Sequence, residues 1–481
     1  MSTIDELIQQ RKEKIQILRK KGINPYPSEV CKDFDNIYVI KNFDKLQNKK
    51  ICLAGRIISI REHGKITFFD IEDESSKIQL FFNNETADYN NLKLFDIGDF
   101  IEAKGTLFKT KSGEVTLKVE IYKILTKSLR PIPQMHFGIS QEEEKIRKRY
   151  VDLITNKDLK EKFYLKTKFI YKCRDFLVKS GFLEVDTPIL ELIPGGADAE
   201  PFKTYHNSLD LEMYLRISLE LHLKRLLVAG FDRVFEIGKV FRNEGMSIQH
   251  LQEFMLLEFY YAYKDFNYLQ DFVEEFYKYV INETFGTLSF EYKGEKLDFS
   301  KKWEKITYFD LMEKYGCDLK IYNTVEKLQK KAKEVGIKNV SSLNKARLID
   351  KIYKKIARPY LKGPLFLINQ PIEISPLAKK NIENNMIVDR FQILILGFEL
   401  GNGFSELNDP QDQKERFVEQ QKLRDDGDKE AQMMDEDFIE ALEYGMPPTA
   451  GFGVGLERLF MICADLNNIR ESEFFPIIKD I

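Results

Sequence analysis

Five short segments between residues 51 and 125 alternate apolar and polar side chains, the pattern of half-buried β-strands. Turn residues such as Glu62–Gly64 and Ser112–Gly113 separate them. The segments are ICLAGRIISIR, KITFFDIED, KIQLFF, DFIEAKGTLFKT and EVTLKVEIYKI. Five strands in so short a stretch predict a small closed barrel of the OB type. Such barrels bind single-stranded bases by stacking and by contacts to base edges.

Composition bounds the remainder of the chain. Its 481 residues and 43% hydrophobic content predict two or more domains with substantial cores. A net charge of −3 means that nucleic-acid affinity would come from local patches. Five cysteines without a CxxC pair argue against a disulfide framework or a structural zinc site. Because we find neither a membrane-length apolar run nor a signal-peptide core, we expect a cytoplasmic protein with no membrane partner.

The N-terminus, residues 1–30, predicts a basic helix. Thr3 and Glu6 form a plausible capping box, and Pro25 and Pro27 end the helix. Its basic residues are Arg11, Lys12, Lys14, Arg19, Lys20 and Lys21. They are either a solvated face or an arm that grips a nucleic-acid backbone. The sequence leaves both interpretations open.

The segment Phe235–Tyr263, FEIGKVFRNEGMSIQHLQEFMLLEFYYAY, predicts a β-hairpin that carries polar groups. We expect Arg242 and Glu244 on one arm, and His250 and Phe254 on the returning arm, with Gly245 at the turn. A cation and an imidazole suit phosphate, a carboxylate suits an amino group, and an aromatic face suits a base. The segment therefore indicates a pocket for a nucleoside triphosphate, although a structural Arg–Glu pair would also explain an isolated hairpin.

A second segment, AGFGVGLERLF at 450–460, predicts a glycine-rich strand followed by a helix that begins near Leu456. Alternating glycines let a backbone approach a bulky ligand, and the helix start favours negative charge. Arg458 in the first turn can stack on a base or reach a phosphate. The segment is neither a Walker phosphate loop nor a convincing dinucleotide fingerprint.

Together, these two segments resemble motifs 2 and 3 of the class II aminoacyl-tRNA synthetases. GNGFSELNDP at 401–410, PGGA at 194–197 and MYLRISLELHLKR at 213–225 are similar to segments of the lysyl enzymes, and GFLEVDTPIL at 181–190 resembles motif 1. We expect a helix over residues 160–180 and a strand formed by GFLEVDTPIL after it. On these residues the chain is identified as a member of the class II lysyl-tRNA synthetase family of bacterial type. The resemblance implies ATP-dependent activation of L-lysine to lysyl-adenylate and transfer of lysine to the 3′ end of tRNA(Lys).

The resemblance also implies an α+β multidomain fold, with a five-stranded OB-type barrel and a catalytic domain on a mixed, mainly antiparallel sheet flanked by helices. In this family motif 1 forms a two-fold contact, so we expect a homodimer with Pro188 at the interface. The expected ranges are 1–30 for the basic helix, 31–126 for the anticodon-binding barrel, 127–145 for a linker, 146–481 for the catalytic domain, and within it about 165–190 for motif 1, 233–263 for motif 2, 305–380 for a helical insertion and 447–465 for motif 3.

The resemblance assigns the ATP-binding residues as follows. Arg242 would hold the α-phosphate together with the attacking carboxylate, since a forked guanidinium can bind both. His250 and Arg458 would bind the γ-phosphate. Glu244 would accept from the adenine amino group, and Phe254 with Arg458 would sandwich the ring. Arg242, Arg458 and His250 are thus the expected catalytic residues.

Lysine recognition requires carboxylates, because a buried ammonium needs anionic partners. By resemblance, Glu258, Tyr260 and Glu406 surround the ε-ammonium. The rest of the expected lysine site is Gly196 and Glu220 for the α-amino group, Asn402 for the carboxylate and Phe404 for the methylene stem. A neutral competitor would leave buried carboxylates unpaired, which is a strong basis for rejection.

On the barrel, the resemblance assigns the anticodon contacts to three residues. Phe68 would stack a base, while Arg56 and Gln79 would supply hydrogen bonds to base edges. From alternation alone, Phe68 could equally be a residue of the barrel core.

The sequence departs from the family pattern at the metal site. Two acidic residues seven apart bind magnesium in the family; Glu399 matches the second position, but Gln392 occupies the first. An amide oxygen adds no negative charge, so we expect weaker Mg²⁺ binding. Three departures are milder. Gln249 occupies a position where the family often has Arg, Leu251-Gln252 replaces Asn-Pro, and Ser218-Leu219 replaces Ala-Pro. They reflect either drift at non-contact positions or a specialised relative.

Two alternatives stay open. One is a synthetase-like ligase that activates lysine or an analogue for a different acceptor, such as a protein side chain. The other is a non-catalytic paralogue that binds nucleotide or RNA. Retention of the barrel residues argues against the first, and retention of Arg242, Glu244, His250, Glu399 and Arg458 argues against the second.

Overall fold

The computed structural model describes residues 3–133 and 142–478, which form two compact units divided after Asn156. Residues 134–141 of the expected linker lie outside the described residues. The N-terminal unit contains the expected barrel, and the C-terminal unit contains the large sheet. Among the described residues, no helix is both long enough and apolar enough to cross a membrane.

The N-terminal unit is built on a closed five-stranded barrel, as the alternating segments predict. The strands are β1 Lys50–His63, β2 Ile66–Glu72, β3 Lys77–Phe82, β4 Phe100–Lys109 and β5 Val115–Thr126, in the order β1-β2-β3-β5-β4. The helices are α1 Ile4–Lys20, α2 Asn36–Lys41, α3 Phe43–Leu46, α4 Glu142–Arg147 and α5 Arg149–Thr155, with a 3₁₀ turn at Tyr89–Leu94. Alternate residues of β2, such as Phe69 and Ile71, fill the barrel core.

Helix α1 begins as predicted, but one of its basic residues, Arg11, is structural. Glu6 donates its backbone N–H to Thr3 Oγ1, and Thr3 donates to Glu6 Oε2, which completes the capping box. Arg11 is buried and donates to the backbone oxygens of Ile97, Ser128 and Arg130. Arg11 therefore belongs neither to a solvated face nor to a free nucleic-acid arm, because its donors satisfy carbonyls within the unit.

The C-terminal unit contains nine helices and thirteen strands among its described residues. The helices are α6 Lys157–Lys179, α7 Glu220–Val228, α8 Phe266–Phe285, α9 Tyr308–Lys314, α10 Val325–Glu334, α11 Lys345–Ile356, α12 Pro410–Asp425, α13 Glu436–Glu443 and α14 Leu456–Cys463. The strands are β6 Leu183–Glu184, β7 Leu190–Glu191, β8 Lys203–His206, β9 Leu211–Leu215, β10 Arg233–Phe241, β11 Glu253–Ala262, β12 Ser289–Tyr292, β13 Glu295–Asp298, β14 Glu304–Thr307, β15 Leu365–Ile368, β16 Arg390–Ile395, β17 Phe398–Ser405 and β18 Thr449–Gly455. Short 3₁₀ turns lie at Val340–Ser342, Arg358–Tyr360, Ile372–Ile374 and Ile469–Ser472.

One eight-stranded sheet organises this unit, in the order β14-β15-β16-β17-β18-β11-β10-β6. Only its edge pairs β6–β10 and β14–β15 are parallel, so the sheet is mixed and mainly antiparallel, as expected. The largest core cluster joins this sheet to α6, α8 and α14. On the opposite face of the sheet, residues of β10, β11 and β17 pack against α7, α12 and α13 in a second core cluster.

Two local expectations are corrected. GFLEVDTPIL does not form one strand: it contains only the two-residue strands β6 and the first residue of β7, because Pro188 lacks an N–H and restricts the residue before it. In addition, β14 and β15 lie within the range expected for the helical insertion, 305–380, yet they belong to the large sheet. The helical part therefore lies between these two strands, around a core of its own.

Candidate active site

A cavity of about 320 Å³ opens on the large sheet. Every ATP-binding and lysine-binding residue expected from the sequence lines it. These residues are Gly196, Glu220, Arg242, Glu244, His250, Phe254, Glu258, Tyr260, Glu399, Asn402, Phe404, Glu406 and Arg458. The register explains the grouping, since β11 pairs with β18, and β18 pairs with β17.

The polar groups of motif 2 lie on a loop rather than on the arms of the hairpin. Strand β10 ends at Phe241 and β11 starts at Glu253, so Arg242, Glu244 and His250 belong to the connection between them. Gly245 does not adopt a positive φ, so the loop does not turn through a left-handed glycine. The expectation of extended arms is corrected because the strand pairing stops at Phe241–Glu253.

Arg242 is oriented by its neighbours. Its Nε donates to the backbone oxygen of Ile217 at 3.2 Å, and its guanidinium lies 5.2 Å from the ring centroid of Phe254. Burial lowers the pKa of Arg242, while the carboxylates of Glu244 and Glu258 oppose that change. An arginine stays charged under such conditions, so the cavity holds a positioned, forked cation.

His250 is a neutral imidazole at physiological pH. Desolvation by the surrounding protein, then repulsion from Arg458 and Arg358, lowers the pKa of His250 to about 4. Ser247 Oγ lies 2.7 Å from Nδ1 of His250. The ring can therefore offer a hydrogen bond to a phosphate, but its charge contribution is small.

Arg458 and Glu399 connect motif 3 with β17. Arg458 donates Nη1 to the backbone oxygen of Glu399 at 2.9 Å, and its Nε and Nη2 to the backbone oxygen of Gln249. Burial would raise the pKa of Glu399, but the surrounding cations Arg358, Arg390, Arg458 and Lys354 lower it below its ordinary value. Glu399 is thus an ionised carboxylate within a cationic environment.

Arg358 and Lys354 were not singled out by the sequence. Both come from the segment between β14 and β15, in the 3₁₀ turn Arg358–Tyr360 and in α11. Arg358 Nε donates to the backbone oxygen of Gly397 at 2.8 Å, in the turn that leads to Glu399. No local spacing links them to the hairpin, because only the tertiary fold places the helical insertion beside it.

The other end of the cavity is anionic. Glu258 is buried, and its Oε1 accepts from Ser218 Oγ at 2.7 Å and from the Leu219 N–H at 3.3 Å. Tyr260 donates its hydroxyl to Glu258 Oε2 at 3.0 Å. The Ser218-Leu219 departure is therefore not at a non-contact position: both residues donate to Glu258, whereas Ala-Pro could supply neither hydrogen.

Glu220 and Glu406 complete this end and share an internal cation. Lys224, one helical turn after Glu220 on α7, places Nζ 2.6 Å from Glu220 Oε1 and 2.5 Å from Glu406 Oε2. The side chain of Lys224 has 0% exposure. The sequence analysis overlooked Lys224, although the four-residue spacing from Glu220 was a visible signal.

Asn402, expected to meet a carboxylate, is held by a second residue that the sequence analysis overlooked. Arg390 Nε donates to Asn402 Oδ1 at 2.7 Å, and its Nη1 donates to the backbone oxygen of Ile374 and to Ser375 Oγ. Because Asn402 Oδ1 accepts from Arg390, its amide N–H groups are the part left for a ligand.

Two glycines leave room for these side chains. A Cβ on Gly451 would lie 2.2 Å from Glu406 Oε1 and 2.4 Å from Tyr260 Cε1. Gly196 has φ +83°, and a Cβ there would lie 2.9 Å from the Cβ atoms of Glu220 and Ser218. The glycine-rich strand β18 thus approaches the carboxylates closely, as its pattern predicts.

Gln392 is the expected site residue of this unit that does not line the cavity. It pairs with Asn402 across β16 and β17, and an irregularity in the register follows it. Arg390, two residues earlier on the same strand, does line the cavity. Among the described residues, no group of three or more His, Cys, Asp or Glu side chains is arranged to hold a metal ion.

On the barrel, Phe68 lies outside the core. Phe69 fills the core instead, while Phe68 faces a surface cavity with Phe81 and Phe108, whose rings form a chain at centroid distances of 5.3 and 5.7 Å. Lys111 and Lys118 also line this surface. Phe68 therefore lies on the barrel surface and not in the core, and its role in base stacking stays a prediction.

The other two barrel residues do not line the Phe68 cavity. Gln79 is buried; it donates to Glu114 Oε2 at 3.2 Å and accepts from Thr116 Oγ1 at 3.0 Å. Arg56 pairs with Glu72, four residues along β2 from Phe68 and about 13 Å away at strand spacing. Its guanidinium lies 4.3 Å from the Phe100 ring centroid.

The C-terminal unit has a mainly antiparallel sheet, a hairpin loop that carries an arginine, and a glycine-rich strand that leads into a helix. Together with the OB barrel of the N-terminal unit, these features define a class II aminoacyl-tRNA synthetase. The family model for tRNA synthetases class II (D, K and N) matches residues 141–479, and that for OB-fold nucleic acid binding domains matches 51–125. A lysine–tRNA ligase of Thermoanaerobacter pseudethanolicus is 44% identical over 99% of this chain and 96% of its own length. The lysine–tRNA ligase of Thermotoga maritima is 44% identical over 99% of this chain and 96% of its own length. That of Moorella thermoacetica is 41% identical over 99% of this chain and 98% of its own length. The chain belongs to the lysine–tRNA ligase family.

The electrostatics of the hairpin loop predict that His250 does not titrate near neutrality. Partial desolvation and the nearby cations favour the neutral ring, so its midpoint should lie near pH 4. Proton NMR of the ring C–H groups between pH 5 and 8, with His250→Gln to assign the signal, measures this directly. A His250 midpoint near 6.5 would contradict the environment described above.

Proposed function

We propose that this chain activates L-lysine with ATP to lysyl-adenylate and transfers lysine to the 3′ end of tRNA(Lys). The observation that carries the proposal is the polarity of the cavity. Buried carboxylates Glu220, Glu258 and Glu406 line one end, and the guanidinium groups of Arg242 and Arg458 line the other. An amino acid that ends in an ammonium suits the first end, and a polyphosphate suits the second.

In the first step a carboxylate oxygen of lysine attacks the α-phosphorus of ATP and pyrophosphate leaves. The carboxylate is ionised at neutral pH, so no general base is needed. The chain supplies alignment and charge neutralisation for a loose transition state. Arg242 would hold the attacking carboxylate and the α-phosphate together, and Arg458 with the neutral His250 would bind the γ-phosphate.

The adenine would be held by Glu244 and by Phe254 with Arg458. In the described structure, Arg242 lies over the Phe254 ring, and Arg458 binds two backbone oxygens. Binding of the base between Phe254 and Arg458 would therefore need these two side chains to turn toward the nucleotide. Arg358 and Lys354 add positive charge beside the expected γ-phosphate position.

In the second step a ribose hydroxyl of the 3′-terminal adenosine attacks the lysyl carbonyl carbon, and AMP leaves. The lysine ammonium groups stay bound throughout: Glu258, Tyr260 and Glu406 would surround the ε-ammonium, and Glu220 with Gly196 the α-amino group. Phe404 would pack on the methylene stem and Asn402 would donate to the carboxylate. Specificity then comes from buried anions that a neutral side chain leaves unpaired.

A divalent ion, Mg²⁺, would accompany ATP. Glu399 fits the usual arrangement in which one carboxylate joins phosphate oxygens and water around magnesium. Gln392 does not line the cavity, so its neutral amide oxygen would reach the ion only after the side chain turned toward Glu399. When bound, the ion would neutralise charge on the phosphates, and the single carboxylate supports weaker binding than a pair would.

For tRNA recognition, we assign the anticodon surface to the barrel. The aromatic chain of Phe68, Phe81 and Phe108, flanked by Lys111 and Lys118, suits unstacked bases and their phosphates. Arg56 and Gln79 would contact bases at other points of the barrel, since neither lines the Phe68 cavity.

We further propose a homodimer formed through motif 1. Leu183, Ile189, Leu190 and Leu192 are large apolar residues with 43–57% exposure on both sides of Pro188. An exposed apolar patch of this kind is typical of an interaction site. A cytoplasmic location is part of the same proposal; all five cysteines are free.

The decisive test is lysine-dependent exchange of pyrophosphate into ATP, together with charging of tRNA(Lys). We expect both activities, and Arg242→Lys should slow exchange by about a hundredfold because it keeps the charge but loses the fork. Arg424→Lys is the matched control, since Arg424 donates to the Lys429 and Ala431 carbonyls outside the cavity. Exchange without charging would indicate another acceptor, and no exchange would indicate a non-catalytic protein.

The barrel assignment predicts a separation of the two activities. Phe68→Ala should raise KM for tRNA by about tenfold through lost stacking, while exchange stays unchanged. Ile121→Ala is the control, because Ile121 is exposed on the same barrel but does not line the Phe68 cavity. Equal loss of charging in both variants would refute the stacking role.

The metal assignment predicts that a second carboxylate would strengthen magnesium binding. Gln392→Glu should lower the magnesium concentration needed for half-maximal exchange, because a second carboxylate strengthens binding. Gln411→Glu adds the same charge at the exposed start of α12 and should leave the magnesium curve unchanged. Superimposable curves for wild type and Gln392→Glu would remove Gln392 from the metal site.

A further inference from the structure

Lys224 is a buried cation that the proposed reaction does not use. It lies on α7 behind the cavity wall: its side chain has 0% exposure and does not line the cavity. Its Nζ contacts Glu220 and Glu406, which both line the cavity. A buried ammonium persists only with anionic partners, so this contact has a function beyond packing.

Each carboxylate uses one oxygen for Lys224 and leaves another for a ligand. Lys224 contacts Oε1 of Glu220 and Oε2 of Glu406. Glu406 Oε1 is buried without a hydrogen-bond partner and lies beside Gly451, which lines the cavity. A buried acceptor without a donor is costly, so this oxygen is suited to a donor from the cavity.

The charges at this end can be counted. When all three are ionised, Glu220, Glu258 and Glu406 contribute three negative charges and Lys224 contributes one positive charge, which leaves two negative charges. Two other charged groups have ion-pair partners outside the cluster: Asp198 is 3.6 Å from Arg347, and Glu457 contacts Lys166. Arg390 also lines the cavity, and its charge opposes the rise that burial causes in the pKa of Glu220, but its side-chain hydrogen bonds go to Asn402 and Ser375, so Lys224 is the cation in direct contact with the carboxylates. L-lysine carries two ammonium groups, so its binding makes the cluster neutral.

We propose that Lys224 is a built-in counter-cation that sets the charge of this end at two negatives and thereby selects an amino acid with two ammonium groups. The inference rests on the proposed function. Lys224 acts through Glu220 and Glu406 without touching the substrate, so it is a positioning and specificity residue. An amino acid of the same length without the second ammonium leaves one buried carboxylate uncompensated.

The charge count applies to the cluster with substrate bound. Burial raises the pKa of Glu220 and raises that of Glu406 well above its ordinary value, in both cases against the attraction of Lys224. Burial alone would lower the pKa of Lys224, but Glu220 and Glu406 raise it above its ordinary value, so Lys224 stays charged. Burial, then repulsion from Glu220, raises the pKa of Glu258 to about 7, against the hydrogen bonds from Ser218 and Tyr260. A substrate with two ammonium groups would therefore displace protons from these carboxylates when it binds.

This exchange gives the wild type a defined pH dependence. The groups that face Glu258 are Glu220, Ser218 and Leu219 from the α7 segment, Tyr260 from β11, Glu406 just after β17, and Arg242 from the hairpin loop. Lysine needs the ionised carboxylate, so KM for lysine should fall about tenfold from pH 6 to pH 8 and then level off, following a group that titrates near 7.

The test is Lys224→Met in the full chain, which removes the charge and keeps the length of the side chain. KM for lysine at pH 8 should rise by about a hundredfold, because three carboxylates then face two ammonium groups. Neutrality now requires a retained proton, so KM should increase from pH 7 to pH 9, opposite to the slope of the wild type. Lys224→Met with an unchanged pH slope would overturn the proposal.

Two further variants separate charge from packing. Ser218→Ala removes a donor to Glu258 without changing the charge count, and should weaken lysine binding without reversing the slope. The double variant Lys224→Met/Glu406→Gln restores two negative charges, so its KM at pH 8 should lie below that of Lys224→Met. Additive losses in the double variant would overturn the counter-cation role.

Folding and function can be distinguished in the same experiment. If Lys224→Met does not fold, the double variant decides: a folded, exchange-active protein supports the charge count, and an unfolded one refutes it. Norleucine, which has the carbon chain of lysine without the ε-ammonium group, should compete with lysine poorly in the wild type. Absence of lysine-dependent exchange in the wild type would instead refute the proposed function, whatever the variants do.

Discussion

The buried cluster of Glu220, Glu258 and Glu406 is the constraint on which the catalytic unit depends. Carboxylates in an apolar interior are unfavourable unless hydrogen bonds or cations compensate them. The fold supplies these from three directions: Lys224 along α7, Ser218 and Leu219 just before it, and Tyr260 two residues from Glu258 on β11. The negative charge that these groups leave uncompensated would be neutralised by the ammonium groups of an amine substrate.

The sheet makes this cluster possible. Strand β18 lies between β11 and β17, and its glycines leave space where side chains would collide with Glu406 and Tyr260. The same strand runs into α14, which carries Arg458 to the other end of the cavity. One glycine strand thus connects the anionic and cationic ends, and fixes the direction in which an amino acid and a nucleotide can meet.

The two units offer different kinds of interaction to their ligands: buried charges in the catalytic unit and surface aromatic rings and lysines on the barrel. In the proposed function, the catalytic unit would bind its substrates through buried charge, where a single missing ammonium or guanidinium has a large effect. The barrel presents aromatic rings and lysines on its surface, where stacking and screened phosphate contacts would give moderate and additive contributions. This division explains why activation and tRNA binding are expected to respond to different substitutions.

The sequence by itself determined the barrel, the glycine strand with its helix, and many but not all residues of the cavity wall, because alternation and short motifs are local properties; Arg390 was overlooked. It misplaced Arg242 and His250 on strands and predicted one strand through Pro188, since where strand pairing stops depends on neighbouring strands. Only the tertiary structure showed that Lys224 contacts Glu406, that Ser218 donates to Glu258, and that Arg358 reaches the hairpin. Those contacts join segments far apart in the chain, so they depend on strand register and on burial, which local spacing does not encode.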